Sequence, residues 1–78
     1  MNLYEFWGKR VKITDTDGKI FIGYAAYYTS ALDDPDGVGY LSLEPDGRED
    51  ILIDFTENEI TNIEINPPVL NTTLARAV

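Results

Sequence analysis

Asp17-Gly18-Lys19-Ile20-Phe21-Ile22-Gly23 decides how this chain folds. Val11-Lys12-Ile13 leads into it and Tyr24-Ala25-Ala26-Tyr27-Tyr28 leads out, so a strand, a tight turn and a long second strand follow one another. Gly18 closes the hairpin in the Asp15-Thr16-Asp17-Gly18 turn, where a positive φ is required. Gly23 sits inside a strand, where a missing side chain weakens packing; it is kept where the strand bends sharply or another backbone comes close. Around it the chain alternates with period two. Phe21, Gly23 and Ala25 share one face and Ile20, Ile22, Tyr24 and Ala26 the other. Both faces are apolar, which predicts a strand buried on both sides.

Working outward, Asn2 is placed to cap a short helix reaching Trp7, with Glu5 in its first turn and Gly8 as its stop. Leu3, Phe6 and Trp7 fall on one side of that helix, and Trp7 is expected to act as a lid on the core. Downstream, Asp33-Asp34-Pro35-Asp36-Gly37 reads as a loop, Val38–Leu43 as a third strand and Glu44-Pro45-Asp46-Gly47-Arg48 as a turn. Asp50–Phe55 reads as a fourth strand with Leu52 outward, Thr56–Glu59 as a turn, and Ile60–Ile65 as a fifth strand with Ile63 and Ile65 inward. Five short strands joined by tight turns make the pattern of a small barrel. Asn66-Pro67-Pro68 ends the domain, since consecutive prolines cannot donate to a ladder. Residues 1–66 therefore form one domain, and 67–78 a tail that is either disordered or packed on a partner subunit.

Composition narrows the chemistry. Seventy-eight residues with no cysteine give a marginal core without disulfides, which favours self-association. With no histidine either, the usual zinc, copper and haem ligand sets cannot be assembled. Asp15–Gly18 and Asp34–Gly37 superficially suggest calcium loops. With each glycine at the sixth position of an EF-hand loop, the first and twelfth positions fall on Ile13 and Tyr24 or on Leu32 and Leu43, and both fail. No metal and no cofactor is expected. An enzyme would need a carboxylate pair or an activated Ser, Thr or Lys, and every carboxylate has a turn or surface explanation. The net charge of −8 opposes non-specific binding to nucleic acid or anionic membranes. Four of the six basic residues, Lys9, Arg10, Lys12 and Lys19, nevertheless gather in the first quarter. No apolar run has bilayer-spanning length and no secretion signal opens the chain, so a cytoplasmic protein is expected, with no membrane partner.

The chain resembles the Sm-like (LSm) family over about residues 2–65. Gly18 and Gly23 have the spacing of that family's turn and strand glycines, with Ala25 in the following apolar slot. Tyr28-Thr29-Ser30-Ala31-Leu32-Asp33 lies where the family carries aromatic-Asp-x-x-Met-Asn. Thr56-Glu57-Asn58-Glu59-Ile60-Thr61-Asn62-Ile63 matches the second motif, an Arg-Gly pair followed by Asn and two isoleucines three apart. The resemblance implies a mainly β fold: an Sm-like, SH3-like barrel of five strongly bent antiparallel strands with a short N-terminal helix. It also implies a homo-oligomeric ring joined through the fourth and fifth strands, with Leu52 and Ile60 in the interface.

The function so implied is a non-catalytic module binding single-stranded RNA. Tyr28 would stack a base, Thr29, Asp33 and Asn58 would stand at the motif positions, and Lys9, Arg10 and Lys12 would contact phosphate. Four motif positions depart from the family. Thr29 replaces an Asp that orients the loop, Asp33 an Asn that reads the base, and Thr56-Glu57 the Arg-Gly pair. A carboxylate at Asp33 accepts hydrogen bonds but cannot donate them, and it repels phosphate. The alternative is a protein-interaction barrel that has lost RNA binding.

Overall fold

The structure is a computed structural model that describes residues 2–48 and 50–65; the tail expected over 67–78 and the Asn66-Pro67-Pro68 boundary lie outside these. The chain is mainly β. Five strands, β1 (Arg10–Asp15), β2 (Ile20–Thr29), β3 (Tyr40–Pro45), β4 (Ile53–Phe55) and β5 (Ile60–Ile65), form one antiparallel sheet in the order β4-β3-β2-β1-β5. The sheet is open: β4 and β5 are its two edges among the described residues.

Gly23 lies at the centre of this sheet. β2 is ten residues long and serves two partners, β1 through Ile20–Tyr24 and β3 through Gly23–Thr29. The two pairings overlap at Gly23, which faces Val11 on one side and Pro45 on the other. A Cβ there would overlap the Glu44 carbonyl oxygen and lie 2.8 Å from Pro45 Cα. Only hydrogen fits between the two backbones.

How far the sheet curls follows from its last connection. A flat sheet would hold its outer strands about 19 Å apart, four strand spacings. Phe55 closes β4 and Ile60 opens β5, and between them stand only Thr56 and the 3-10 turn Glu57–Glu59, which rises about 2 Å per residue. Such a link cannot bridge a flat sheet. Accordingly Phe55 and Ile60, from opposite edges, belong to one core with Leu3, Val11, Ile13, Ala25, Leu41 and Leu43. Phe21 reaches across to Phe55 edge-on, ring centroids 5.2 Å apart. Val11, Ile13, Leu41 and Leu43 are fully buried, and each contributes about 1.5–3 kcal/mol by leaving water.

Several elements depart from expectation for identifiable reasons. The N-terminal helix is a 3-10 helix, Leu3–Phe6, with Asn2 Oδ1 accepting from the Tyr4 backbone N–H. Leu3 is buried, but Trp7 is extended in conformation and 47% exposed, so it does not cover the core as a lid. β3 begins at Tyr40 rather than Val38 because the Val38 and Gly39 amides both donate to the Asp34 carboxylate, at 3.0 Å each. β4 begins at Ile53 rather than Asp50 because a turn occupies the preceding residues, closed by Ile51 N–H donating to Arg48 C=O. The outer face of β2 is not buried a second time: Ile20 is 56% and Tyr24 44% exposed. Ile65, expected inward, is 54% exposed, whereas Ile63 packs on the core. No described helix is long and apolar enough to cross a membrane.

Candidate functional site

A β-bulge in the second half of β2 sets up the candidate site. Ala25 pairs with Leu43 and Tyr27 with Ser42, so Ala26 is the extra residue without a partner in β3. The bulge reverses the alternation beyond it. Tyr27 turns outward and is exposed, while Tyr28, opposite the buried Leu41, turns toward the core. The Trp7 indole N–H donates to the carbonyl of this bulge residue, Ala26, at 3.2 Å. Tyr4, Trp7 and Tyr28 consequently form a ring cluster, with centroid separations of 5.9 Å (Tyr4–Trp7), 5.6 Å (Tyr4–Tyr28) and 6.4 Å (Trp7–Tyr28).

Two concavities flank this cluster. One, about 100 Å³, is lined by Asn2, Leu3, Tyr28, Val38, Gly39 and Glu57, and so joins the end of β2, the loop after it and the turn before β5. These are the segments of the two family-like motifs. The other, about 530 Å³, is lined by Tyr4, Glu5, Phe6, Trp7, Lys9 and Ile65. The sequence carries one signal for this second cleft, the density of aromatics in Tyr4-Glu5-Phe6-Trp7, although its reading as helix and lid concealed the outcome.

The loop from Ser30 to Gly39 is held by its own carboxylates. Asp33 accepts from the Ser30 hydroxyl at 3.1 Å, and the Asp34 backbone N–H donates to Ser30 C=O. The hydrogen bonds from Gly39 and then Val38 hold the Asp34 carboxyl below its ordinary pKa. Gly39, at φ +83°, lets the loop close tightly: a Cβ would stand 2.9 Å from Ala31 N and Thr29 O. The turn before β5 is organised similarly, with Glu59 Oε1 accepting from Thr56 N–H and Oγ–H at 2.9 and 3.1 Å.

The residues singled out in the sequence separate into groups. Tyr28 borders the small cleft, and Thr29 ends β2 opposite Tyr40. Asp33 is exposed in the loop, bound to Ser30, and Asn58 is exposed in the 3-10 turn. Lys9 lines the larger cleft and donates to the Glu5 carbonyl at 3.0 Å.

Arg10 and Lys12 are not brought to Tyr28. They alternate with the buried Val11 and Ile13 and so lie on the outer face of the sheet, whereas Tyr28 faces inward. Arg10 is further engaged in a two-pronged ion pair with Asp46, at 2.7 and 2.8 Å, which lowers the Asp46 pKa and raises that of Arg10. Lys12 stands opposite Glu64 of β5.

For the interface residues, Leu52 is 49% exposed beside the β4 edge. Ile60, by contrast, is 7% exposed and belongs to the chain's own core. The short turn before β5 delivers Ile60 inward, so its side chain is not available to a neighbouring subunit.

Carboxylates elsewhere are also occupied. Asp15 Oδ1 accepts from the Asp17 and Lys19 amides in the hairpin turn, and Asp54 accepts from Ser42 Oγ–H at 2.6 Å. Among the described residues, no group of three or more His, Cys, Asp or Glu could hold a metal ion. No family model, curated protein or solved structure matches the chain.

Proposed function

We propose that this chain is a non-catalytic, self-assembling interaction module with an Sm-like barrel architecture, in which β4 of one copy pairs with β5 of the next to close a ring. The observation that carries the reading is the strand order, which leaves β4 and β5 as the two open edges of a strongly curled sheet. An edge strand presents unpaired amides and carbonyls, a ready template for another chain. Two different edges on one subunit make the contact head-to-tail, and a closing rotation turns such contacts into a ring. Leu52, exposed beside β4, supplies apolar surface to that junction.

Protein interaction is favoured over RNA binding by the electrostatics of the Tyr28 end. Asp33 and Glu57 bring carboxylates to the two motif segments, and Arg10 is committed to Asp46 on the opposite face. The observed roles of Asp15, Asp34, Asp46 and Asp54 in turns and pairs likewise support a non-catalytic reading.

Light scattering on a size-exclusion column tests the assembly. The expected result is a mass several times the 8.8 kDa of one chain, falling to one chain in Leu52→Glu while the circular dichroism spectrum is kept. A wild-type chain that elutes as a monomer at micromolar concentration would refute ring formation. Labelled uridine-rich and adenine-rich oligonucleotides test the other half, and no binding at low salt is expected. Micromolar, salt-sensitive binding weakened by Tyr28→Ala would reinstate the RNA-binding function.

A further inference from the structure

The larger cleft, beside the 3-10 helix, sets exposed rings next to two charges of opposite sign, Glu5 and Lys9. Tyr4 is 57% and Trp7 47% exposed. Both rings are nonetheless held in place: the indole N–H donates to the Ala26 carbonyl, and Tyr4 and Trp7 both pack against Tyr28. The two charges are not equivalent. The Lys9 ammonium is turned onto the Glu5 backbone carbonyl, to which it donates at 3.0 Å. The Glu5 carboxylate is exposed and, among the described residues, makes no hydrogen bond or ion pair. The cleft therefore offers an unused acceptor next to two fixed aromatic rings.

An arginine side chain uses all of these features at once. Its planar guanidinium is attracted to the face of an aromatic ring and presents a fork of N–H groups to a carboxylate. Its aliphatic stem covers apolar surface, supplied here by Phe6 and Ile65. A nucleic-acid base also stacks on such rings, but its phosphates would meet Glu5 and a chain of net charge −8. The same charge attracts a cationic partner. At about 530 Å³ the cleft is of ligand-binding size, within roughly 300–1,000 Å³.

We propose that this cleft takes an arginine from a basic peptide segment of a partner protein, its guanidinium stacked on the Tyr4 and Trp7 rings and hydrogen-bonded to Glu5. This names the partner for the protein-interaction reading and rests on it, but it needs no ring assembly.

Trp7 is the only tryptophan, so its fluorescence reports on the cleft directly. The probe is a capped peptide of three arginines spaced by alanines, with lysine and citrulline versions as controls. The arginine peptide is expected to shift Trp7 emission saturably and to bind several-fold more tightly than the lysine peptide, while the citrulline peptide does not bind. Glu5→Gln should weaken binding about tenfold, as loss of a charge-assisted hydrogen bond does. Lys9→Gln should strengthen it by removing a like charge, and Tyr4→Leu should narrow the preference for arginine over lysine. Circular dichroism verifies that each variant keeps its fold. No saturable shift, equal binding of the arginine and lysine peptides, or binding indifferent to Glu5→Gln would overturn the assignment. So would tighter binding in Glu5→Gln with weaker binding in Lys9→Gln, because the cleft would then take an anion. Leu52→Glu should bind the arginine peptide as the wild type does. The two readings thus fail separately: oligonucleotide binding counts against the protein-interaction module, and the peptide titration alone counts against the arginine site.

Discussion

At Gly23, β2 meets β3 backbone against backbone, with room for nothing larger than hydrogen. At Tyr28, beyond the Ala26 bulge, the same strand meets its surroundings through rings that border two open clefts. The first region has a single solution, because main-chain atoms cannot rotate out of one another's way. The second has many, because rings, loop carboxylates and the 3-10 turn can be exchanged without disturbing the ladder. One strand thus carries both the constraint that shapes the sheet and the surface left for recognition.

The contrast breaks most directly at Gly23. Gly23→Ala places a methyl group on the Glu44 carbonyl oxygen and beside Pro45 Cα, and only opening of the β2–β3 pairing relieves it. A loss of about 3 kcal/mol or more is expected, at or beyond the upper end of overpacking costs. In a chain this short, that leaves much of the protein unfolded. The urea midpoint measures it, and a change below about 1 kcal/mol would mean the close approach is not what curls the sheet.

At the other end the expected effect is smaller. Tyr28 is half-buried and packs on the core as well as on Tyr4 and Trp7. Tyr28→Ala should therefore cost about 2 kcal/mol, less than truncation of a fully buried ring. A double-mutant cycle with Tyr4→Ala should give a coupling of about 0.5–1.5 kcal/mol for the edge-on pair. Additive single losses would show that the ring cluster is incidental packing.

The same division decides how much could be read from the sequence. Gly23 and the Asp15–Gly18 turn were legible because backbone geometry restricts which residues can stand there, and β5 was legible as Ile60–Ile65, although which of its isoleucines turn inward was not: Ile65 is exposed. The bulge at Ala26 was not: no glycine or proline marks it, yet it decides that Tyr28 turns inward and Tyr27 outward. Trp7 is tied to that same bulge residue, through the Ala26 carbonyl that accepts from its indole N–H. The resemblance placed Ile60 in an interface, and no pattern along the chain shows how far the sheet curls back to carry Ile60 into the chain's own core. Arg10 looked like a free cation because its partner, Asp46, stands 36 positions away.

That ion pair lies on the outer face and supports neither the close approach at Gly23 nor the ring cluster, so the smallest effect is expected there. Its side chains are 37% and 50% exposed, so solvent screening limits its contribution to about 0.2–1 kcal/mol. The Asp46 carboxyl is held below its ordinary pKa by the Arg10 hydrogen bonds. The folded state consequently binds that proton less readily than the unfolded chain does. The stabilisation is present in full above the unfolded pKa and is lost as pH falls through the folded one. Asp46→Asn should accordingly lower stability slightly at neutral pH, and the gap to the wild type should close in acid. The Asp34 carboxyl, lowered by the Gly39 and Val38 amides, acts in the same direction, so Asp34→Asn separates the loop's share of any acid sensitivity from that of the ion pair. If wild type and Asp46→Asn keep a constant difference from neutral to acid pH, the Arg10–Asp46 pair contributes nothing through charge, and what remains is packing of the arginine stem across the sheet.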